Sequence, residues 1–230
     1  MYKLVLVRHG QSEWNLKNLF TGWHDVDLSS TGIEEALTAG KLLKKEGFTF
    51  SLGYTSYLKR AIKTLNYILE ESEQLWIPII KSWRLNERHY GALQGLDKQA
   101  TKEKYGDEQV HLWRRSYEAF PPKLKTSSQT YPGKDPKYAR LKPEEIPLGE
   151  NLHETAQRVL VYWEQEIAPK IRAGQKIIIS AHGNSLRALV KILENLPEEE
   201  VIKLEIPTGK PLVYNLNKDL KPIDKKYLKN

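Results

Sequence analysis

The chain has 230 residues, 36 Lys+Arg against 29 Asp+Glu, and no cysteine. The lack of cysteine excludes disulfides, thiolate metal sites and a cysteine nucleophile, and it suits a reducing, cytoplasmic setting. The apolar runs, such as residues 4–7 and 177–179, fall far short of the roughly 20 residues of a membrane span, and Arg8 interrupts the first too early for a signal peptide, so no membrane partner is expected.

A single domain over 1–230 is expected at this length, burying about 72% of its unfolded surface. Residues 3–7 read as a buried strand running into Arg8-His9-Gly10. Thr31-x-x-Glu34 reads as a capping box, followed by Ile33, Ala36, Leu37, Gly40 and Leu43 at helical spacing, with Gly47 as the stop. A strand at 52–55 precedes a second helix, expected to be capped by Ser56 and to bury Leu58, Ile62, Leu65 and Leu69. Ile79-Ile80 is a further strand, and short helices are expected over 97–105 and 107–115. Residues 121–150 hold six of the twelve prolines and no sustained period. They read as a surface excursion, of a kind that often forms lids or subsite walls. A helix over 152–171, a strand over 176–180, a helix over 185–196 and a strand over 212–216 follow. The end, 217–230, carries five Lys against two Asp and is read only as a basic segment. Alternating strands and helices imply an α/β three-layer sandwich, a mostly parallel sheet with helices on both faces. Ligands of such folds bind outside the carboxyl ends of the strands.

One local pattern occurs twice: a buried strand delivers a histidine and then a glycine, as Arg8-His9-Gly10 and as Ala181-His182-Gly183. Glycine lets the chain turn sharply and a ligand approach. If the strands are neighbours, both imidazoles line one pocket. With no cysteine and no H-x-H or H-E-x-x-H pattern, no metal site is expected. Arg8 beside His9 points to an anion. Adjacent positive charge keeps an imidazole neutral, with a lone pair for attack on phosphorus, while cations offset the charge of a transferring phosphoryl group.

Longer motifs carry a resemblance. Arg8-His9-Gly10-Gln11-Ser12-Glu13-Trp14-Asn15 and Phe20-Thr21-Gly22-Trp23 are similar to the signature of the histidine phosphatase superfamily, and more narrowly of cofactor-dependent phosphoglycerate mutases. The resemblance continues through Thr55-Ser56-x-Leu58-x-Arg60-Ala61, Leu85-Asn86-Glu87-Arg88-His89-Tyr90-Gly91, Tyr105-Gly106-Asp107, Trp113-Arg114-Arg115, the block from Ala181 to Arg187, and Ile206-Pro207-Thr208-Gly209. It covers essentially the whole chain.

The resemblance implies a mutase interconverting 3-phosphoglycerate and 2-phosphoglycerate in glycolysis and gluconeogenesis. His9 would carry the phosphoryl group as phosphohistidine, primed by the cofactor 2,3-bisphosphoglycerate, with no metal. Arg8, Arg60 and His182 would hold the transferring group, with Ser12, Asn15, Gly183 and Asn184 near it. Glu87 would be the general acid and base. Arg88, His89, Tyr90, Lys98, Arg114 and Arg115, with Thr21 and Gly22, would hold the rest of the substrate. The chemistry asks for this: phosphoglycerate carries about −3 and the bisphosphate about −5, so two clusters of cations are needed, and the arginine fork matches carboxylate and phosphate oxygens. Trp14, Trp23 and Trp113 are read as packing.

Rival readings are a phosphatase on the same scaffold, with water as acceptor, and a bisphosphoglycerate synthase, which Ser12 and Thr21-Gly22 resemble less. A nucleic-acid binder using the net +7 charge lacks any RRM, KH or zinc-finger signature, and no nucleic-acid partner is expected. Relatives of this kind are often homo-oligomers, dimers or tetramers. Two departures from the family stand out. Gln11 occupies a position where many relatives have Glu. Longer relatives continue past Tyr227-Leu228 with a Gly- and Lys-containing tail thought to close over the site, and a chain lacking it is expected to leak more phosphoryl groups to water.

Overall fold

β1 (Tyr2–Arg8) turns Leu4 and Leu6 to one face and Val5 and Val7 to the other, all at least 99% buried. Period-two geometry lets this one aliphatic run serve two cores, each side chain contributing about 1.5–3 kcal/mol of burial. The computed structural model describes residues 1–229; Asn230, the last residue of the expected domain, lies outside the described residues.

A short α1 (Glu13–Leu16) and α2 (Ser30–Lys45) follow. α2 is capped by Ser29, whose side chain accepts from Gly32 N, and the expected Thr31–Glu34 box lies inside the helix. The reason is that Gln11 O accepts from Ser29 N at 2.9 Å and fixes the chain's entry there. β2 (Leu52–Thr55), α3 (Lys59–Glu71) and β3 (Ile79–Lys81) come next. α3 starts after Leu58, and its first N–H, of Lys59, donates to Asp25 Oδ1 at 2.7 Å, while the expected cap Ser56 accepts from Leu58 N and meets a histidine. α4 (Lys98–Tyr105), capped by Asp97, and α5 (Asp107–Arg115) meet at Gly106.

Residues 121–150 form three 3-10 turns, at Pro132–Lys134, Pro136–Tyr138 and Pro143–Glu145. The expected single helix after them is α6 (Leu152–Tyr162), a π segment (Trp163–Ile167) and α7 (Ala168–Arg172). Pro169 accounts for the change: it has no N–H for the carbonyl four residues back, and its ring crowds that carbonyl, so the ladder widens ahead of it. β4 (Ile177–Ala181), α8 (Gly183–Glu194), α9 (Glu198–Val201), β5 (Leu212–Leu216) and β6 (Pro222–Tyr227) complete the chain.

The six strands form one sheet in the order β3-β2-β4-β1-β5-β6. Its β3-β2-β4-β1 part is parallel, and β5 and β6 are antiparallel additions at one edge. Ala39, Leu43, Leu65 and Ile68 of α2 and α3 pack with Val5, Val7 and Ile178 on one face. Val159, Ile171, Leu186 and Leu189 of α6, α7 and α8 pack with Leu4, Leu6, Ile177 and Ile179 on the other. The fold is therefore the expected three-layer α/β sandwich. The folded surface is 11,096 Å², against about 10,700 Å² for a single domain of this mass. No helix among the described residues is long and apolar enough to cross a membrane.

Candidate active site

Sheet register brings the two histidines together. Arg8 of β1 pairs with Ala181 of the neighbouring parallel strand β4, so the next residues, His9 and His182, leave the sheet side by side. His9 N donates to Ala181 O at 2.9 Å. The ring centroids are 4.9 Å apart with planes at 61°, and both rings are buried.

A carbonyl sets the tautomer of His9, and a hydroxyl that can donate or accept faces His182. His9 Nδ1 lies 2.7 Å from Gly10 O; a carbonyl can only accept, so the proton is on Nδ1 and the lone pair on Nε2. Arg60 Nε donates to that Nε2 at 3.3 Å. Burial, then Arg60 and Arg8, hold this imidazole well below its usual pKa, against the opposing pull of the Gly10 carbonyl. His9 is therefore neutral at neutral pH, with a lone pair on Nε2. His182 Nε2 lies 2.8 Å from Ser56 Oγ, which also accepts from Leu58 N. With the hydroxyl hydrogen donated to Nε2, the ring proton sits on Nδ1, a buried atom with no protein partner. Burial, then Arg60, His9, Arg158 and Arg8, depress this histidine too. Arg8 Nη1 donates to Ile206 O at 2.9 Å, and its Nε is likewise buried and unpartnered. Arg8 Nε, and His182 Nδ1 in the tautomer that carries its proton there, lack acceptors beside the neutral His9, and an incoming anion supplies them.

Arg60 is 1% exposed and pinned by two further bonds, to His24 O and Gly22 O, both at 2.8 Å. Burial lowers its pKa to about 10 against the raising effect of Glu87, so it stays charged at neutral pH. Thr64 Oγ1 links the pieces, accepting from Gly10 N at 3.1 Å and donating to Arg60 O at 2.7 Å. Gly10 owes its place to packing: a Cβ there would meet Gly32 O of α2 at 2.1 Å.

Glu87 enters the same cavity. Its Oε1 accepts from Arg88 N at 2.8 Å, Asn184 Nδ2 at 2.8 Å and Asn184 N at 3.1 Å, which fixes the carboxylate and leaves Oε2 for a substrate. Gly183 lies between Arg8 and Glu87; a Cβ built there would be 3.6 Å from Arg8 Cζ and 3.7 Å from Glu87 Oε2.

The cavity has a volume of about 270 Å³ and is lined by six cations, Arg8, Arg60, Lys98, Arg114, Arg115 and Arg187, against two carboxylates, Glu87 and Glu205. Lys98 opens α4, where burial, then Arg114, lowers its pKa. Arg114 and Arg115 end α5, and Arg115 Nη2 contacts Glu205 Oε1 at 2.6 Å. Asn15, Thr21, Gly22, Tyr90, Gly183 and Asn184 also line it. Three expected substrate contacts lie behind the wall instead. Ser12 is buried at the cap of α1, where its side chain and that of Asn15 bond each other's backbone N–H at 3.1 Å. His89 is turned to Gly91 N at 3.0 Å and to the Trp23 ring. Arg88 donates to Tyr90 Oη at 3.1 Å and Arg114 O at 2.7 Å, with Nε and Nη1 unpartnered. Burial, the largest effect, opposes ionisation of Tyr90, but the Arg88 charge and hydrogen bonds from Arg88 and Asn184 together lower the phenol's pKa.

Sequence reasoning missed Arg187 and Glu205. Arg187 lies one turn beyond Gly183 on α8 and donates to Leu204 O at 2.7 Å and Asn184 Oδ1 at 3.1 Å. Its motif block was legible without its role, whereas Glu205 had no local signal. Residues 121–150 line none of this cavity. No group of three or more His, Cys, Asp or Glu gathers as a metal cluster among the described residues.

A family model described as the histidine phosphatase superfamily (branch 1) matches residues 4–224. Solved structures share the fold. An alpha-ribazole phosphatase from Shigella flexneri is 23% identical with a TM-score of 0.64, covering 94% of this chain and 91% of its own. A mycobacterial glucosyl-3-phosphoglycerate phosphatase with VO3 is 22% identical with a TM-score of 0.69, covering 99% and 97%. A phosphoglycerate mutase from Bacillus anthracis str. Sterne is 21% identical with a TM-score of 0.65, covering 93% and 88%.

Proposed function

The chain belongs to the histidine phosphatase superfamily, branch 1, and from that premise we propose that it is a phosphoglycerate mutase, interconverting 3-phosphoglycerate and 2-phosphoglycerate in glycolysis and gluconeogenesis. The observation that carries the reading is the second set of cations. A site that only hydrolyses a phosphate ester needs Arg8, Arg60 and the two histidines. Lys98, Arg114, Arg115 and Arg187 in the same cavity suit a substrate with another anionic group, and a doubly phosphorylated one above all.

2,3-Bisphosphoglycerate fits these residues: its transferring phosphoryl group meets the unpartnered donors Arg8 Nε and His182 Nδ1, and it supplies the first phosphoryl group to His9. In the forward half-reaction, the N–P bond of phospho-His9 breaks and returns its electron pair to Nε2, while the substrate hydroxyl oxygen forms the new O–P bond and its proton passes to Glu87 Oε2. Arg8, Arg60 and His182 Nδ1 hold the three peripheral oxygens through the in-line displacement. In the reverse half-reaction, with the bisphosphate reoriented, His9 Nε2 attacks the other phosphorus and Glu87 returns the proton to the departing oxygen. Because each half is the other reversed, one carboxylate serves as base and acid.

The phosphatase reading keeps the same first half and gives the phosphoryl group to water. A coupled assay of 2-phosphoglycerate formation from 3-phosphoglycerate, with and without added 2,3-bisphosphoglycerate, separates the two. The mutase reading expects turnover stimulated by the bisphosphate. Release of inorganic phosphate with no 2-phosphoglycerate overturns it.

A further inference from the structure

Glu87 to Tyr90 belong to no helix or strand and lie between two 3-10 turns, Trp83–Leu85 and Gly91–Leu93. A proton-transfer group on irregular backbone has to be held by something, and here the holder is buried side-chain chemistry. Arg158 of α6, 8% exposed, donates Nη1 to Arg84 O at 2.6 Å and Nη2 to Asn86 O and Glu87 O, both at 3.0 Å. Trp23 Nε1 donates to the same Glu87 O at 2.6 Å. Glu150, 3% exposed, takes the rest of the guanidinium fork: Nε to Oε1 at 2.6 Å and Nη2 to Oε2 at 3.0 Å. It also accepts from His89 N at 2.8 Å, and its own N–H donates to His89 O at 2.8 Å.

We propose that Arg158, braced by Glu150 and joined by Trp23, is a positioning residue that holds the Glu87 carboxylate in place for proton transfer. The proposal rests on the phosphoryl-transfer reading above. A buried ion pair is a poor source of stability, since an apolar pair of the same volume does as well or better. What an apolar pair cannot do is specify a backbone path by bonding three carbonyls within four residues. Asn184 fixes the carboxylate end of Glu87 and Arg158 with Trp23 fixes the carbonyl end, so the side chain is pinned at both. The Pro-rich excursion acquires a purpose in this arrangement. Glu150 is its last residue, Tyr138 Oη accepts from Asn86 Nδ2 at 2.9 Å, and Pro122 O accepts from Ala92 N at 2.8 Å. It braces the segment that carries Glu87 from behind.

The test separates positioning from mere support by varying how much the leaving oxygen needs a proton. Phosphoglycerate exchange needs one; p-nitrophenyl phosphate, with a weakly basic leaving group, does not, because His9 Nε2 attacks phosphorus and p-nitrophenolate departs with the bonding pair. The variants are Arg158→Lys, which keeps the charge and loses the fork, and Trp23→Phe, which keeps the ring and loses the N–H. For Arg158→Lys we expect kcat on 3-phosphoglycerate to fall about 10–100-fold, with KM and the rate of the p-nitrophenolate burst within about threefold. Trp23→Phe shows the same signature at about 3–10-fold, and decides the matter alone if Arg158→Lys does not fold. Unchanged kcat in both variants, or a burst rate that falls together with kcat, overturns the proposal. A wild-type chain that gives the burst but no mutase turnover overturns the preceding reading instead, and the contrast is then read on phosphoglycerate hydrolysis, whose alkoxide leaving group needs the same proton.

Discussion

Arg60 and the cations of α4 and α5 are built to different standards. Arg60 is 1% exposed and has three hydrogen-bonded partners, one of them His9. It stands where β2 leads into α3, against the carboxyl ends of β1 and β4. Lys98, Arg114 and Arg115 sit partly exposed on two short helices, and Arg115 spends its charge on Glu205, itself largely exposed. Under the proposed reaction, Arg60 meets a phosphorus in transit with its donors already in place. Under the same proposal, Lys98, Arg114 and Arg115 bind whatever is not reacting, a group that in a mutase changes from one half-reaction to the next.

That contrast can be broken by mutation. Arg60→Lys keeps the charge and loses the bonds to Gly22 O and His24 O. It is expected to lower kcat about 10²–10³-fold, the cost of removing one donor to developing charge, with the smaller change in KM. Arg114→Met is expected to raise KM about tenfold and leave kcat within a few-fold, the signature of uniform binding. If Arg60→Lys acted mainly on KM, or Arg114→Met mainly on kcat, the division of labour would be wrong.

A smaller effect comes from pH. His9 and His182 are held neutral by burial and nearby arginines, and His89 is pushed down to about 3 by burial, then Arg158 and His24. Below about pH 6.5 the unfolded chain protonates all three while the native state does not, so the unfolded state binds more protons and stability falls as pH is lowered. For His89 the window runs from about 6.5 down to about 3, at about 1.4 kcal/mol per pH unit. Urea midpoints between pH 7 and 5 should therefore drop, and His89→Gln should flatten the slope by one proton. An unaltered slope would mean that His89 titrates alike in both states.

The two regions also differ in how far they could be read in advance. The strand–histidine–glycine repeat was legible because buried aliphatic runs and their neighbours are local, and sheet register did the rest. Arg114 and Arg115 were legible only through longer motifs, since an arginine pair at a helix end looks the same facing water. β6 was missed because its exposed, Lys-rich residues at an antiparallel edge lack the aliphatic pattern of the inner strands. The α2 cap was misplaced by two residues because Ser29 is selected by Gln11, a contact no local pattern encodes. Ser56 reads as a helix cap in the sequence and meets His182 in the fold. Arg158 and Glu150, eight residues apart, gave no sign of meeting under Glu87, because a buried ion pair is defined by what surrounds it. The excursion over 121–150 was recognised as unusual, yet its composition could not say whether it covers the cavity or backs it.

The account depends most on His9 Nε2 carrying phosphorus. Incubation with labelled 2,3-bisphosphoglycerate, followed by acid and base treatment and mapping of the label, tests this directly. The expected result is one acid-labile, base-stable phosphoryl group per chain, on His9 and absent from His9→Ala. Stoichiometric label on another residue, or mutase turnover surviving in His9→Ala, would contradict it.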